Sequence, residues 1–288
     1  MNIEIQHETI HTNGITLHVA SAGPTDGPPV ILLHGFPDFW YGWHRQIPAL
    51  AEAGFRVLAP DQRGCNLSEK PRGIRAYAPD QLAADVIGLA DHYGLDRVRL
   101  VGHDWGGMVS WYLAMTVPER LHRMVILNVP HPSVMRRTLQ RSFSQLRKSW
   151  YIFLFQLPWL PEASFRARDW EGGLRALRAS AQRGTFTKED YARYREAWAQ
   201  PGAITGMFNW YRALMRVPLP RPAGGTRVRV PTRILWGCKD IALDAAMAQP
   251  SLDRCDEGDL HFFEQATHWV QHDEAAEVNR LIIEWLGM

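Results

Sequence analysis

Apolar residues come along this chain in short continuous runs that alternate with segments of helical period. Residues 3–20 read as two strands turned at Asn13-Gly14, the pair that best tolerates the backbone of a tight hairpin turn. Residues 30–33 are an unbroken apolar run and residues 55–59 are apolar but for Arg56, as in strands buried on both faces; the first ends at His34-Gly35 and the second at Asp61. The pattern then predicts a helix over 80–92, a strand over 98–101, a helix over 106–116 and a strand over 124–127. Strands alternating with helices build a doubly wound, mostly parallel sheet flanked by helices, so the fold class is α/β.

From about residue 132 to 220 the alternation stops. Helical patterns rich in Arg, Trp and Tyr take over, broken by Pro158, Pro161 and Pro201. Strands return over 232–236 and 260–263, and an amphipathic helix closes the chain over 274–286. The expected organisation is an α/β core in two parts, 1–131 and 221–288, interrupted by a helical cap at 132–220.

Composition narrows the function. The 288 residues suffice for a sizeable core, and a net charge of +2 gives no reason to expect a nucleic-acid partner. The densest basic stretch, Arg136, Arg137, Arg141, Arg147 and Lys148, reads as a solvated helix face, with membrane or partner contact as the other reading. Cys65, Cys238 and Cys255 are odd in number and lack ligand spacing. Neither a metal site nor a disulfide framework is expected, which suits a reducing cytoplasm. The start, MNIEIQHETIHTNG, has no basic opening and no apolar run, so no secretion signal is expected. The longest apolar stretch, 150–160, is too short to span a bilayer and contains Pro158.

The chemistry centres on VGHDWGG, where Asp104 ends a strand and precedes a helix. Hydrolases with a nucleophile on such a turn usually carry serine there. A carboxylate needs no deprotonation, and the helix amino terminus favours its charge. It suits attack on an sp³ carbon bearing a strained or good leaving group, leaving an alkyl ester on the enzyme. That ester must be hydrolysed by a base-activated water. LWGCKDIALD offers Asp240 as orienting acid, with Asp244 as a poorer candidate, and EQATHWVQHD offers His268 as base. His272 is expected at the surface. The order nucleophile, acid, histidine is that of this fold. His34-Gly35-Phe36-Pro37 sits where a backbone donor to an oxyanion belongs, so the amides of Phe36 and Trp105 are assigned that role and His34 a structural one. Phe36, Pro37, Trp105 and Trp269 are expected to line the substrate pocket.

These residues resemble the α/β-hydrolase family and, within it, the epoxide hydrolases. The similarity spans nearly the whole chain and is strongest in HGFPDFWYGWHRQIPAL, in GHDWGGMVSWY with the following VPERL, in LNVPHP and in THWVQHDEAAEVNRLIIEWL. The resemblance implies an α/β core with a helical cap, an aspartyl-ester intermediate, no cofactor, a cis bond at Phe36-Pro37, and two cap tyrosines on the epoxide oxygen. Tyr151, in SWYIFLFQLPWLPE, and Tyr211, in FNWYRALM, match; Tyr41, Tyr191 and Tyr194 compete. Trp150, Phe153 and Trp210 are expected in the cap core. Cys65-Asn66 departs from the aromatic-glycine pair of many relatives, though Asn tolerates a left-handed backbone. The implied partners are a small, apolar or aromatic epoxide and water, and the chain is expected to be a monomer or homodimer. Two other readings stay open. A haloalkane dehalogenase uses the same nucleophile and base, and would need Trp105 plus a second halide donor such as Trp150, Trp159 or Trp210. A non-catalytic binding protein on this fold is the other.

Overall fold

The hairpin predicted at the amino end forms. Strands β1 (Gln6–Thr12) and β2 (Ile15–Ala22) pair antiparallel around Asn13, whose φ of 47° is left-handed. The chain continues through β3 (Pro29–Leu33), β4 (Arg56–Pro60), β5 (Val98–His103), β6 (Leu121–Leu127), β7 (Thr232–Gly237) and β8 (Gly258–Phe263). These make one sheet in the order β1-β2-β4-β3-β5-β6-β7-β8, parallel except at β1-β2 and β2-β4. This computed structural model describes residues 3–218, 222 and 224–288.

The apolar run of β3 is explained by burial on both faces. Ile31 and Leu33 of β3 join one core cluster with helices Pro79–His92 and Trp105–Thr116. Val30 and Leu32 join the other with helices Gln46–Glu52 and Ala275–Gly287. Cutting one such side chain back to alanine costs roughly 2–5 kcal/mol.

After β3 the chain builds β4 on one side, then returns to place β5 on the other. The carboxyl ends of β3 and β5 therefore flank a topological switch point, where open α/β sheets bind ligands. Register brings the strand ends level, with Leu33 beside Gly102, His103 beside Leu127 and Leu127 beside Leu235.

Between β6 and β7 lie the helices Pro132–Arg141, Phe143–Lys148, Trp150–Leu154, Leu160–Ala179, Lys188–Ala199 and Ala203–Arg216, the fourth broken by non-helical backbone at Ala167, Arg168, Asp169 and Trp170. The expected far boundary of this segment, at 220 and 221, lies outside the described residues. Pro161 does not break a helix. It occupies the first turn of Leu160–Ala179, where no helical partner for its missing N–H is needed. Among the contacts that tie the segment to the core, Trp198 Nε1 donates to Pro37 O (2.7 Å), Trp210 Nε1 to Arg63 O (3.1 Å) and the Tyr194 hydroxyl to Asp38 (2.9 Å).

Trp210 is fully buried as expected, but Trp150 and Phe153 are not core residues; they are 62% and 53% exposed. Their short helix lies at the surface, and its 3.6-residue period turns Tyr151 and Phe155 inward and Trp150 and Phe153 outward.

Candidate functional site

Asp104 sits on a strained turn, φ 49° and ψ −116°, between β5 and the helix Trp105–Thr116. Such a backbone for a non-glycine residue persists only where its surroundings hold it. Here the turn presses against β3: a Cβ on Gly106 would come within 1.9 Å of the Leu33 carbonyl oxygen, and one on Gly35 within 2.5 Å of the Asp104 Cβ. Both positions must be glycine for the loop after β3 to reach Asp104. Across that gap the Phe36 amide donates to Asp104 Oδ1 at 2.8 Å, and the Phe36-Pro37 bond is cis.

Asp240 follows β7 and His268 follows β8. His268 Nδ1 lies 2.7 Å from Asp240 Oδ2, and its Nε2 lies 3.9 Å from Asp104 Oδ2. The amides of Ala242 and Leu243 donate to Asp240 Oδ1 at 2.7 and 3.0 Å. Asp244 lies apart and caps the turn at Ala246.

The electrostatics follow from burial and from these partners. Burial raises the Asp104 carboxyl above its ordinary range, while His268 and the Phe36 and Trp105 amides pull it down. Burial also works against charge on Asp240, but His268, Asn128 and the Leu243 amide outweigh it and hold that carboxyl below the usual range. Burial alone would lower His268; Asp240 and then Asp104 overcome this and push it up to about 9. Neutralising Asp104 removes one of those charges. In Asp104→Asn, His268 should therefore titrate below its wild-type value, as read by NMR of the imidazole; an unchanged titration would refute the coupling.

A cavity of about 490 Å³ opens over Asp104, walled by Phe36, Pro37, Tyr151, Phe155, Tyr211, His268 and Trp269. Tyr151 and Tyr211 meet edge to face at 6.0 Å. Burial, and then the charge of Asp104, raises both phenols well above the usual range, so both stay protonated. The competing tyrosines are occupied elsewhere. Tyr41 donates to Asp190 and Tyr194 to Asp38, and Tyr191 lies beneath Arg178. A larger space of about 670 Å³, bordered by Trp159, Glu162 and Arg212, contains none of Asp104, Asp240 and His268.

Trp105 does not line the cavity as expected. As the first residue of its helix it points into the helical segment, edge to face with Tyr211 at 5.0 Å and 5.7 Å from Trp210. Trp210 cannot serve a halide, because its N–H is bound to Arg63 O. His272 is not at the surface. The turn Val270–Asp273 folds it inward, 3% exposed, against Phe186 and His44. Asn66 adopts a left-handed φ of 37° and donates to Asp61, so the loop keeps its turn despite its unusual residues.

Two site neighbours carry no sequence signal of their own. Asn128, at the end of β6 with φ 45°, donates to Asp240 Oδ2 at 2.9 Å and accepts from the Gly237 amide. His103 Nε2 donates to the His268 carbonyl at 2.8 Å, and its ring packs 4.7 Å from the His268 ring. Among the described residues no cluster of three or more acidic, histidine or cysteine side chains could hold a metal ion, and no helix is long and apolar enough to cross a membrane.

The sequence profile of the alpha/beta hydrolase fold matches residues 28–275. The chain is 48% identical over 283 residues to AB hydrolase superfamily protein YfhM of Bacillus subtilis (strain 168), covering 98% of each. It is 35% identical to epoxide hydrolase 1 of Caenorhabditis elegans, over 95% of this chain and 68% of that one. Against epoxide hydrolase 4 of Homo sapiens it is 34% identical, over 96% of this chain and 77% of that one. The crystal structure of a Bacillus megaterium epoxide hydrolase with an inhibitor superposes with a TM-score of 0.89 at 29% identity, covering 98% of this chain and 100% of that one.

Proposed function

Because this chain belongs to the α/β-hydrolase fold family, we propose that it is an epoxide hydrolase acting through an ester on Asp104. The observation that carries this reading is a carboxylate on the strand-to-helix turn sharing one cavity with two protonated phenols, Tyr151 and Tyr211. Asp104 Oδ2 attacks an epoxide carbon and the C–O bond breaks. The leaving oxygen stays on the product as an alkoxide, takes hydrogen bonds from both tyrosines, and is protonated by one of them. Halide departure would need no such donor.

The ester has lost the charge of Asp104, so His268 becomes easier to deprotonate; it releases its proton to solvent, recovers one when the Asp104 carboxylate is restored, and in between can accept a proton from water. That water attacks the ester carbon. The developing oxyanion is Oδ1, already held by the Phe36 amide and flanked by that of Trp105. Asp240 holds the His268 ring and its charge. Of the two water protons, one ends on the diol and one returns to the tyrosine. The helical segment acts as the cap over this reaction. The aromatic walls, Phe36, Phe155 and Trp269, favour an apolar or aromatic epoxide, and a cytoplasmic setting would keep the three free cysteines reduced.

A single turnover in heavy-oxygen water tests the reading. The first diol should carry ordinary oxygen taken from Asp104, with the label found in the Asp104 peptide. Label directly in that diol would mean that water attacks the epoxide itself.

A further inference from the structure

We propose that the outer face of residues 132–161 docks on an anionic lipid surface, with the mouth of the Asp104 cavity turned towards the bilayer. Phe143, Leu146, Trp150 and Phe153 recur at steps of three and four residues along two short helices, and Leu157 follows in the turn after the second. In a core-facing helix such a stripe would be buried. Here every member is exposed, Phe143 to 81%, and Trp159 beside the end of the stripe is 73% exposed. Contiguous apolar exposure of this kind marks an interaction surface.

The charge of this segment identifies its occupant. Residues 132–161 contain Arg136, Arg137, Arg141, Arg147 and Lys148 and no acidic residue, in a chain whose net charge is only +2. Among the described residues, Lys148 alone of these five has an ionic partner, Asp244 at 3.8 Å. A second copy would meet this face through a twofold axis, setting like charges against each other. An anionic bilayer complements both features: aromatic rings settle at headgroup depth and Arg or Lys meets the phosphates.

The stripe also borders the cavity mouth. Arg147, Lys148 and Trp150 line the opening on one side, and Ile241, itself half exposed, lies on the other. One turn of helix thus presents Tyr151 to the cavity and Trp150 to the outside. A lipophilic substrate dissolved in the bilayer would enter without crossing water. That role rests on the epoxide hydrolase reading; the docking does not.

The test is co-sedimentation of the full chain with vesicles of phosphatidylcholine alone and of phosphatidylcholine mixed with phosphatidylglycerol. Binding is expected only to the mixed vesicles and should weaken as salt rises. Arg137→Glu/Arg141→Glu should lower the partition coefficient by on the order of 30-fold or more. Phe143→Ser/Phe153→Ser should lower it by roughly tenfold or more. Turnover of a dissolved substrate should be unchanged in both, since none of the four residues lines the cavity. The proposal is overturned if the wild-type chain does not sediment with the anionic vesicles, or binds both vesicle types equally. It also falls if both variants bind as the wild type does, or if the stripe proves to be a dimer contact, with Phe143→Ser/Phe153→Ser yielding monomers that still bind lipid. Sedimentation reads lipid binding without any turnover, so failure of the epoxide reading leaves this result interpretable.

Discussion

Replacing His268 with glutamine should halt the cycle after its first half and leave substrate esterified to Asp104. Glutamine cannot accept the proton of the attacking water, and a positioned general base contributes about 10² to 10⁴ in rate. The fold should hold, because Asp240 keeps the Asn128 side chain and the Ala242 and Leu243 amides as donors. Removing His268 also removes the group that most lowers the Asp104 carboxyl. The pH at which Asp104 becomes a nucleophile should therefore rise in the variant, and alkylation is best followed above neutrality. Intact-protein mass should increase by one substrate, and peptide mapping should place the adduct on Asp104. An unmodified variant, with a substrate that the wild type turns over, would dismiss the two-step scheme.

Removing the phenols of Tyr151 and Tyr211 should arrest the other half. Tyr151→Phe or Tyr211→Phe alone should slow ester formation by on the order of 10² to 10³, the usual consequence of losing one donor to a developing oxyanion. The double variant should nearly abolish it, since neither charge stabilisation nor a proton source remains. Phenylalanine keeps the ring packing on Phe155, which lies 5.6 Å from Tyr151 and 5.0 Å from Tyr211. The first-turnover rate of alkylation is the measurement. A folded double variant that opens epoxides at the wild-type rate would exclude this role for both tyrosines.

Both outcomes depend on features of unequal visibility in the amino-acid sequence. Asp104 was legible because the tight strand-to-helix turn demands glycines nearby, and Gly102 and Gly106 frame it on the chain itself. Asp240 and His268 were legible for a related reason: each follows an apolar run, and a doubly wound sheet brings the carboxyl ends of its strands to one edge. Asn128 was not. Its partner lies 112 residues away, and only the pairing of β6 with β7 sets the two side by side.

The choice among tyrosines was also tertiary. Tyr41 and Tyr194 have the same chemistry as Tyr151 and Tyr211, but Asp190 and Asp38 happen to stand within reach of their hydroxyls. Hydrophobic pattern determines that a segment is helical and which residues share a face. Which face meets the core depends on what the fold has packed beside it. For the buried helices of the sheet the two questions have one answer, because protein lies against the apolar face. For residues 143–157 they do not: the cavity claims the face of Tyr151 and Phe155, and the more continuous apolar stripe through Phe143, Trp150 and Phe153 is left outside. His272 shows the converse, a polar residue on a short turn drawn into the interior because Phe186 and His44 close over it. Local chemistry and period determined the strands and the turn that carries Asp104; the phase of each short helix against the core was decided only when the whole chain packed.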